Sequence, residues 1–212
     1  MTINHTTDTT RYPDLRGKTA VVTGSSSGIG EAIARHMGSE AMNVVINYMS
    51  ADEKVIDGLI YLIEQSGGHA VGIRADVGTE AGVQAIYDKA IEAFGDIDVW
   101  VNNAGFEIQS ATHETSYEDW QRVLHVDLDG VFLGTKIAVQ HFLKHNKQGS
   151  ILNTSSIHDI IPWPTYASYA TAKAGVLMFT KTTALEYAEQ GIRINAISPG
   201  ALETPINAQR FA

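Results

Sequence analysis

The segment Thr23-Gly24-Ser25-Ser26-Ser27-Gly28-Ile29-Gly30 decides how this chain folds. It follows a short run rich in β-branched residues, 18–23, which predicts a buried strand, and it precedes residues 31–37, which predict a helix. Its three glycines let the backbone turn tightly and approach a ligand closely. The helix then offers unpaired N–H groups and the positive end of its dipole to an anion. The segment therefore predicts a phosphate-binding turn, spaced G-x-x-x-G-x-G rather than G-x-G-x-x-G.

Short apolar runs alternate with longer helical patterns along the rest of the chain. We expect strands at 18–23, 43–48, 70–75, 97–102, 149–154 and 192–197. We expect helices at 28–38, 52–66, 79–94, 117–146 and 167–190. Apolar strands separated by helices imply an α/β fold with a doubly wound parallel sheet in a single domain. Ligands of such sheets bind beyond the carboxyl ends of the strands, so the polar clusters that follow the strands should meet along one rim.

The composition limits the classes of function. A chain of 212 residues, 44% hydrophobic and 18% charged, suits one globular domain. The net charge of −9, without a basic run, argues against a nucleic-acid partner. The N-terminus lacks the apolar core of a signal peptide and no run reaches about 18 apolar residues, so we predict no membrane association. The absence of cysteine permits a reducing compartment, and we predict a cytoplasmic protein with a flexible tail at 1–14 and one domain at 15–212.

Tyr169 and Lys173 are the main catalytic candidates. They lie four positions apart in a predicted helix, so their side chains share one face. A nearby ammonium group favours the phenolate and is expected to lower a tyrosine pKa of about 10 by about 1–3 units. Such a phenol would donate or accept a proton near neutral pH.

Five motifs in this chain resemble those of the short-chain dehydrogenase/reductase family in order and spacing. They are the glycine turn at 23–30, Asn102-Asn103-Ala104-Gly105, Ser156, Tyr169-x-x-x-Lys173 and Ser198-Pro199-Gly200. The resemblance runs from about residue 15 to the end. It implies a Rossmann-type sheet, NAD or NADP as cofactor, and hydride exchange with a small-molecule alcohol or carbonyl substrate. It also implies a homo-oligomer, by this resemblance a tetramer.

The same resemblance implies a role for each motif residue. Tyr169 is the general acid/base, Lys173 tunes it and holds the nicotinamide ribose, and Ser156 hydrogen-bonds the reacting oxygen. Donors at that oxygen suit the chemistry, because charge develops there as hydride leaves. The implied cofactor-binding residues are Gly24, Ser26, Ser27, Gly28, Ile29, Gly30, Tyr48, Asp76, Val77, Asn103, Ala104, Gly105, Lys173, Pro199 and Gly200.

The end of the second predicted strand bears on the choice between NAD and NADP. An acidic residue about 20 positions beyond the glycines normally binds the adenosine ribose of NAD. This chain has Asn47-Tyr48-Met49-Ser50 there, with no acid to repel a 2′-phosphate and no arginine to bind one. Ser27 occupies a position that is often basic in NADP-preferring relatives, and the hydroxyls of Ser25 and Ser50 are candidates to contact the phosphate. We expect dual use of the two cofactors or a mild preference for NADP.

Four segments resemble the bacterial glucose 1-dehydrogenase branch of the family. They are 102–107, 155–164, 184–188 and 204–208. This resemblance implies that a sugar such as glucose is oxidised at C1, with Glu107, His158 and Asn207 as partners of the sugar hydroxyls. The alternatives are a carbonyl reductase acting on another ketone or alcohol, and a catalytically weak cofactor-binding sensor.

Two features depart from the family pattern. The family usually has Asn in the middle of the long helix, where this chain has Asp127. A carboxylate keeps the acceptor but loses the amide donors, and near Lys173 it is expected to draw charge away from Tyr169. We include Asp127 among the catalytic residues. The chain also stops at Ala212, whereas family members continue for several dozen residues, so the resemblance implies that a C-terminal helix and an edge strand are absent here.

Two further motifs predict other chemistry. Residues 24–28 also satisfy the nucleophile elbow G-x-S-x-G, which would make Ser26 the nucleophile of a hydrolase, but no histidine follows His158 to complete its triad. His141 and His145 have a zinc-compatible spacing. Lysines flank them and no acidic third ligand is near in sequence, so we expect surface histidines and no metal site. On the same helix we expect core positions for Trp120, Phe132, Phe142 and Leu143.

Overall fold

The computed structural model describes residues 11–202, which contain a six-stranded parallel sheet. The strands are β1 (Thr19–Val22), β2 (Asn43–Tyr48), β3 (His69–Arg74), β4 (Val99–Asn102), β5 (Gly149–Thr154) and β6 (Ile192–Ile197). Their spatial order is β3-β2-β1-β4-β5-β6, so the order reverses between β1 and β4. This is the doubly wound order in which ligands bind at the switch point. The predicted α/β Rossmann-type fold is confirmed, and each predicted strand agrees with the observed one within two residues at either end.

Within the described range, six α-helices connect the strands. They are α1 (Gly28–Ser39), α2 (Glu53–Gln65), α3 (Glu80–Phe94), α4 (Tyr117–Leu124), α5 (Gly130–Lys144) and α6 (Ala167–Tyr187). The single helix predicted at 117–146 is wrong in its middle, because one π-helical turn, His125–Asp129, separates α4 from α5. Such turns interrupt the regular hydrogen-bond ladder and are frequent at functional sites.

The core consists of two apolar layers, one on each face of the sheet. Val21 and Trp100 belong to the layer that packs against α3 and α5. Val22 and Ile46 belong to the opposite layer, with Leu59 of α2. Because successive strand residues point to opposite faces, a strand covered on both sides must be apolar throughout. This requirement explains the unbroken apolar runs that predicted the strands.

The helix starts differ in one respect that matters for ligand binding. Asp52 caps α2 by accepting the N–H of Lys54 at 2.9 Å, and Ser116 caps α4 by accepting the N–H of Asp119 at 3.0 Å. At α1, by contrast, Ser27 makes no side-chain capping bond. The first N–H groups of α1 therefore have no side-chain acceptor at the cap and are available to an anion.

His141 is buried, which contradicts the predicted surface position. Its ring lies between α3 and the loop before β4, where the Tyr87 hydroxyl is 3.2 Å from Nδ1 and Asp96 Oδ1 is 2.8 Å from Nε2. A polar ring can be buried there because both nitrogens have partners. Phe132 and Leu143, predicted as core, are each 46% exposed.

Two features are absent from residues 11–202. Within residues 11–202, no three His, Cys, Asp or Glu side chains are grouped so as to hold a metal ion. None of the helices in that range combines the length and apolar character needed to cross a bilayer.

Candidate active site

Polar side chains tie the carboxyl ends of four strands into one rim. Asn47, in β2, accepts the Gly24 N–H at 3.2 Å and donates to the Ala75 carbonyl, just beyond β3, at 2.9 Å. After β1, the Thr23 hydroxyl accepts the Asn103 N–H at 2.9 Å, and the Asn103 side chain donates to the Thr23 carbonyl at 3.0 Å. The loops that follow these strands are thereby fixed relative to one another. Thr23 and Asn47 were not predicted as site residues, although an amide at the end of an apolar strand is a signal for this role.

The glycine turn packs tightly against the loop after β4. Gly24 has φ of +60°, and a Cβ added there would lie 2.6 Å from the Ala104 Cα. A Cβ on Gly30 would lie 2.5 Å from the side-chain Nδ2 of Asn103 and would also meet the Gly24 carbonyl oxygen. Any side chain at these two positions would displace backbone. The glycines therefore bring the start of α1 to the rim.

A cavity of about 770 Å³ opens beyond this rim. Its volume is in the range of about 300–1,000 Å³ found for small-molecule sites. Gly30 lies buried behind the glycine turn, and Asn207 lies outside the described residues. Nearly all other predicted site residues line the cavity: Gly24, Ser26, Ser27, Gly28, Ile29, Tyr48, Asp76, Val77, Asn103, Ala104, Gly105, Glu107, Asp127, Ser156, His158, Tyr169, Lys173, Pro199 and Gly200.

Tyr169, Ser156 and Lys173 come together in this cavity. The Lys173 ammonium lies 5.4 Å from the centre of the Tyr169 ring and donates to the Thr154 carbonyl at 3.1 Å. Burial raises the pKa of Tyr169, and its effect outweighs the lowering by Lys173 and by a hydrogen bond with Ser156. The prediction that the pKa of Tyr169 is lowered is therefore wrong for the protein chain alone. In this state the phenol is protonated at neutral pH.

Asp127 forms a buried ion pair with Lys173. The π-helical turn carries Asp127 inward until it is fully buried, with Oδ2 at 3.1 Å from the Lys173 ammonium. Its Oδ1 accepts the Phe106 N–H at 2.9 Å, whereas Oδ2 makes no well-directed hydrogen bond. Burial raises the pKa of Asp127, and the opposing effects of Lys173 and the Phe106 N–H are smaller. The expected proximity of this carboxylate to Lys173 is observed, and the same carboxylate contributes to raising the pKa of Tyr169.

His158 forms part of an aromatic wall of the cavity. Its backbone N–H donates to Ser156 Oγ at 3.2 Å, and its Nδ1 lies 3.0 Å from the Ile161 carbonyl oxygen. Because a carbonyl only accepts, Nδ1 carries the proton and Nε2 of the neutral ring is an acceptor. The rings of Trp163 and Tyr166 lie 5.5 and 6.2 Å from the His158 ring. Trp163 lines the cavity and was not predicted as a site residue.

Asp159 connects two loops of the rim. Its Oδ2 accepts the Ser155 hydroxyl at 2.8 Å and the Ser198 hydroxyl at 2.6 Å. This carboxylate holds the loop after β5 beside the loop after β6, where Pro199 and Gly200 lie. Nothing in the sequence distinguished Asp159 from other acidic residues in loops.

The residues at the rim suit a dinucleotide. The uncapped α1 terminus and the glycine turn offer backbone N–H groups to a pyrophosphate. The prediction that Ser25 contacts the phosphate is wrong, because its hydroxyl is buried and donates to the Val22 carbonyl at 2.7 Å. Ser50 is exposed and lines the cavity.

Comparisons with known proteins agree with this geometry. Residues 18–212 match the family described as short chain dehydrogenase. The chain is 55% identical over 201 residues to 3beta-hydroxysteroid dehydrogenase 1 of Eggerthella lenta, covering 95% of this chain and 77% of that protein. It is 52% identical over 197 residues to glucose 1-dehydrogenase 2 of Bacillus subtilis, covering 92% of this chain and 76% of that protein.

A solved structure is also similar. A short-chain type dehydrogenase/reductase from Mycobacterium marinum superposes with a TM-score of 0.88 at 30% identity, covering 93% of this chain and 78% of that chain. Together with the family match, these findings remove the hydrolase alternative. The chain belongs to the short-chain dehydrogenase/reductase family and is an NAD(P)-dependent oxidoreductase.

Proposed function

We propose that this oxidoreductase oxidises a sugar such as glucose at C1. The observation that carries the proposal is the grouping of Ser156, Tyr169 and His158 in the cavity that the uncapped start of α1 also lines. The His158 Nε2 acceptor suits a substrate hydroxyl next to the one that reacts. Glu107 also lines the cavity and is proposed as a second partner for sugar hydroxyls, together with Asn207.

The chain's own residues supply the acid–base chemistry. Ser156 Oγ and the Tyr169 hydroxyl bind the reacting oxygen, and Tyr169 takes its proton during oxidation and returns it during reduction. Lys173 favours the phenolate that this step requires, while Asp127 opposes it. A bound nicotinamide coenzyme supplies the hydride acceptor for oxidation and the hydride donor for reduction. The proposed cofactor-binding residues are those of the sequence prediction that line the cavity. Gly30 supports them by allowing the glycine turn to pack against the loop after β4.

A hydroxysteroid or another apolar alcohol is the second candidate substrate. Trp163 lines the cavity and is 54% exposed, and Ile160 and Ile161, close to it in the chain, are 77% and 52% exposed. Large exposed apolar side chains near a cavity suit an apolar substrate body. The 3beta-hydroxysteroid dehydrogenase of Eggerthella lenta is 55% identical to this chain. A planar apolar ring system would cover these side chains, whereas a sugar would leave most of them in water.

A substrate panel tests both candidates. The panel contains glucose, other sugars, polyols, 3-hydroxysteroids and simple ketones, each with NAD(H) and NADP(H), followed by the absorbance of the reduced nicotinamide. We expect glucose to be oxidised with the highest kcat/KM. Activity on hydroxysteroids without activity on glucose would replace the sugar proposal by the second candidate. Coenzyme binding without turnover of any substrate would instead support the sensor alternative.

We also propose that the protein is a homo-oligomer, a tetramer by its family resemblance. Phe132, Leu143, Met178 and Leu185 are between 46% and 82% exposed on α5 and α6. The Phe132 ring of α5 lies 6.1 Å from the Phe179 ring of α6, and exposed apolar side chains on two such helices are typical of association surfaces. The division into a tail at 1–14 and one cofactor-binding unit at 15–212 remains a prediction.

A further inference from the structure

The end of β2 is the part of the rim at which the binding of NAD and the binding of NADP differ. Asn47 bonds the glycine turn there, so the residues that follow β2 border the place where an adenosine ribose lies in a doubly wound fold. Tyr48, Met49 and Ser50 line the cavity at this point, and none of them is acidic. The sequence places no arginine in this stretch, but the structure brings one there from the neighbouring strand.

Arg74 is that arginine. In the parallel pairing of β2 with β3, Tyr48 lies opposite Arg74, so the two side chains share a face of the sheet. The Arg74 guanidinium lies 5.6 Å from the centre of the Tyr48 ring, and its Nη2 donates to the Ala51 carbonyl at 3.2 Å. One ring contact and one backbone bond therefore hold an exposed cation beside the residues that border the ribose position.

The charge of Arg74 is not neutralised within the described chain. A guanidinium has five N–H donors, and the bond to Ala51 uses one of them. Between residues 11 and 202 no carboxylate forms an ion pair with Arg74: the nearby Asp52 accepts the Lys54 N–H and Asp76 accepts the Gly78 N–H. Arginine binds phosphate through charge-assisted and often paired hydrogen bonds.

We propose that Arg74 binds the 2′-phosphate of NADP and gives the enzyme a preference for NADP over NAD. The proposal rests on the proposed nicotinamide coenzyme site and assigns one of its specificity-determining residues. A flexible arginine side chain that is anchored at Ala51 can turn toward a dianion at the ribose without moving the strand. An NAD ribose, which lacks the phosphate, gains nothing from the cation.

The test compares the affinity of 2′,5′-ADP with that of 5′-ADP by calorimetry, because the two ligands differ only in the 2′-phosphate. Wild-type protein is expected to bind 2′,5′-ADP more tightly. Arg74→Gln keeps a donor for the Ala51 carbonyl but loses the charge, so its affinity for 2′,5′-ADP should fall about tenfold, the effect of one hydrogen bond to a charged group. Its affinity for 5′-ADP should stay within about twofold. Arg35→Gln, which removes an exposed arginine of α1 paired with Glu31, is the control and should change neither value.

The outcomes separate the two proposals. Equal affinity of the wild type for both ligands, or an unchanged ratio in Arg74→Gln, overturns the role of Arg74 and leaves the coenzyme site intact. If Arg74→Gln lowers the affinity for both ligands by the same factor, the side chain has a structural role, and the proposed phosphate contact is overturned as well. If the wild type binds neither ligand, the proposed coenzyme site itself fails.

Discussion

At the scale of single residues, the reactivity of Tyr169 depends on opposing effects. Burial raises the pKa of its phenol, Lys173 and Ser156 lower it, and Asp127 and Glu107 raise it further. The substrate hydroxyl needs a proton acceptor, so the proposed chemistry depends on this one oxygen.

Replacing Tyr169 with phenylalanine removes only that oxygen. We expect Tyr169→Phe to lower kcat by at least about 100-fold, the usual contribution of a general acid or base, with coenzyme affinity unchanged. Steady-state kinetics and coenzyme fluorescence titration measure the two quantities. Tyr117→Phe, at a tyrosine that is 73% exposed, is the control. Turnover of Tyr169→Phe at the parent's rate would overturn the mechanism.

Asp127→Asn tests the departure from the family pattern. The amide oxygen can keep the bond to the Phe106 N–H, while the negative charge beside Lys173 disappears. Because Asp127 raises the pKa of Tyr169, its removal should lower that pKa. We expect faster oxidation near neutral pH and a pH–rate profile shifted to lower pH.

The matched control for this substitution is Asp129→Asn in the same π-helical turn. Asp129 is exposed and pairs with His125, so this variant should keep the wild-type profile. An unchanged turnover and midpoint in Asp127→Asn would contradict the proposed role of the carboxylate.

At the scale of elements, the turn before α1 must stay in contact with the loop after β4. Gly30→Ala places a Cβ at 2.5 Å from the side-chain Nδ2 of Asn103, and the turn must shift. We expect coenzyme affinity to fall by at least about tenfold, with a loss of stability of about 1–3 kcal/mol from overpacking. Gly58→Ala in α2 meets no atom within 4 Å and should instead stabilise the protein by about 0.5–1 kcal/mol. Equal coenzyme binding by the two variants would refute this account of the turn.

The buried His141 connects α5 to α3 and to the loop before β4. Its hydrogen-bond partners are Tyr87, Asp96 and the Ile97 N–H, and His145 and Lys147 face it as well. Burial lowers the pKa of His141 from 6.5, and this effect outweighs the raising effect of Asp96. The unfolded chain therefore takes up this proton at a higher pH than the native protein, so stability is lost as the pH falls below about 6.5.

This linkage is measurable by urea unfolding between pH 8 and pH 5. We expect the free energy of unfolding to fall in that window by at most about 1.4 kcal/mol per pH unit from His141. His141→Gln should be less stable at pH 8 by about 1–3 kcal/mol, because buried partners lose their hydrogen bonds, and should show a shallower slope. His113→Gln, at a side chain that is 82% exposed, should keep the wild-type slope. Identical slopes in all three proteins would exclude His141 as the source.

At the scale of the whole molecule, the proposed homo-oligomer would cover exposed apolar side chains of α5 and α6. Leu185 is 82% exposed on α6 and Met178 is 62% exposed. If these side chains are buried between copies of the chain, Leu185→Glu places a charge in that interface and should reduce the mass measured by light scattering after gel filtration. Tyr61→Glu, at a 60% exposed position on α2 on the other face of the sheet, should keep the wild-type mass. A Leu185→Glu protein of unchanged mass would place the interface elsewhere.

The fold and most of the rim were predictable from the sequence. The strands and the glycine turn are local patterns, and the parallel topology then requires the loops after the strands to meet at one edge. The helix at 117–146 was only partly predictable, because apolar periodicity continues through His125–Asp129 and carries no sign of a π-helical turn. His141 was misplaced because its partners, Tyr87 and Asp96, are 54 and 45 positions away.

The sequence by itself determined the doubly wound sheet and the set of side chains at its carboxyl edge, since both follow from short-range periodicity and the order of the elements. Only the tertiary structure decided the protonation of Tyr169, the pairing of Asp127 with Lys173 and the presence of Arg74 beside Tyr48. These properties depend on burial and on contacts between different elements. Electrostatic and desolvation energies are set by such distances, which local patterns along the chain do not contain.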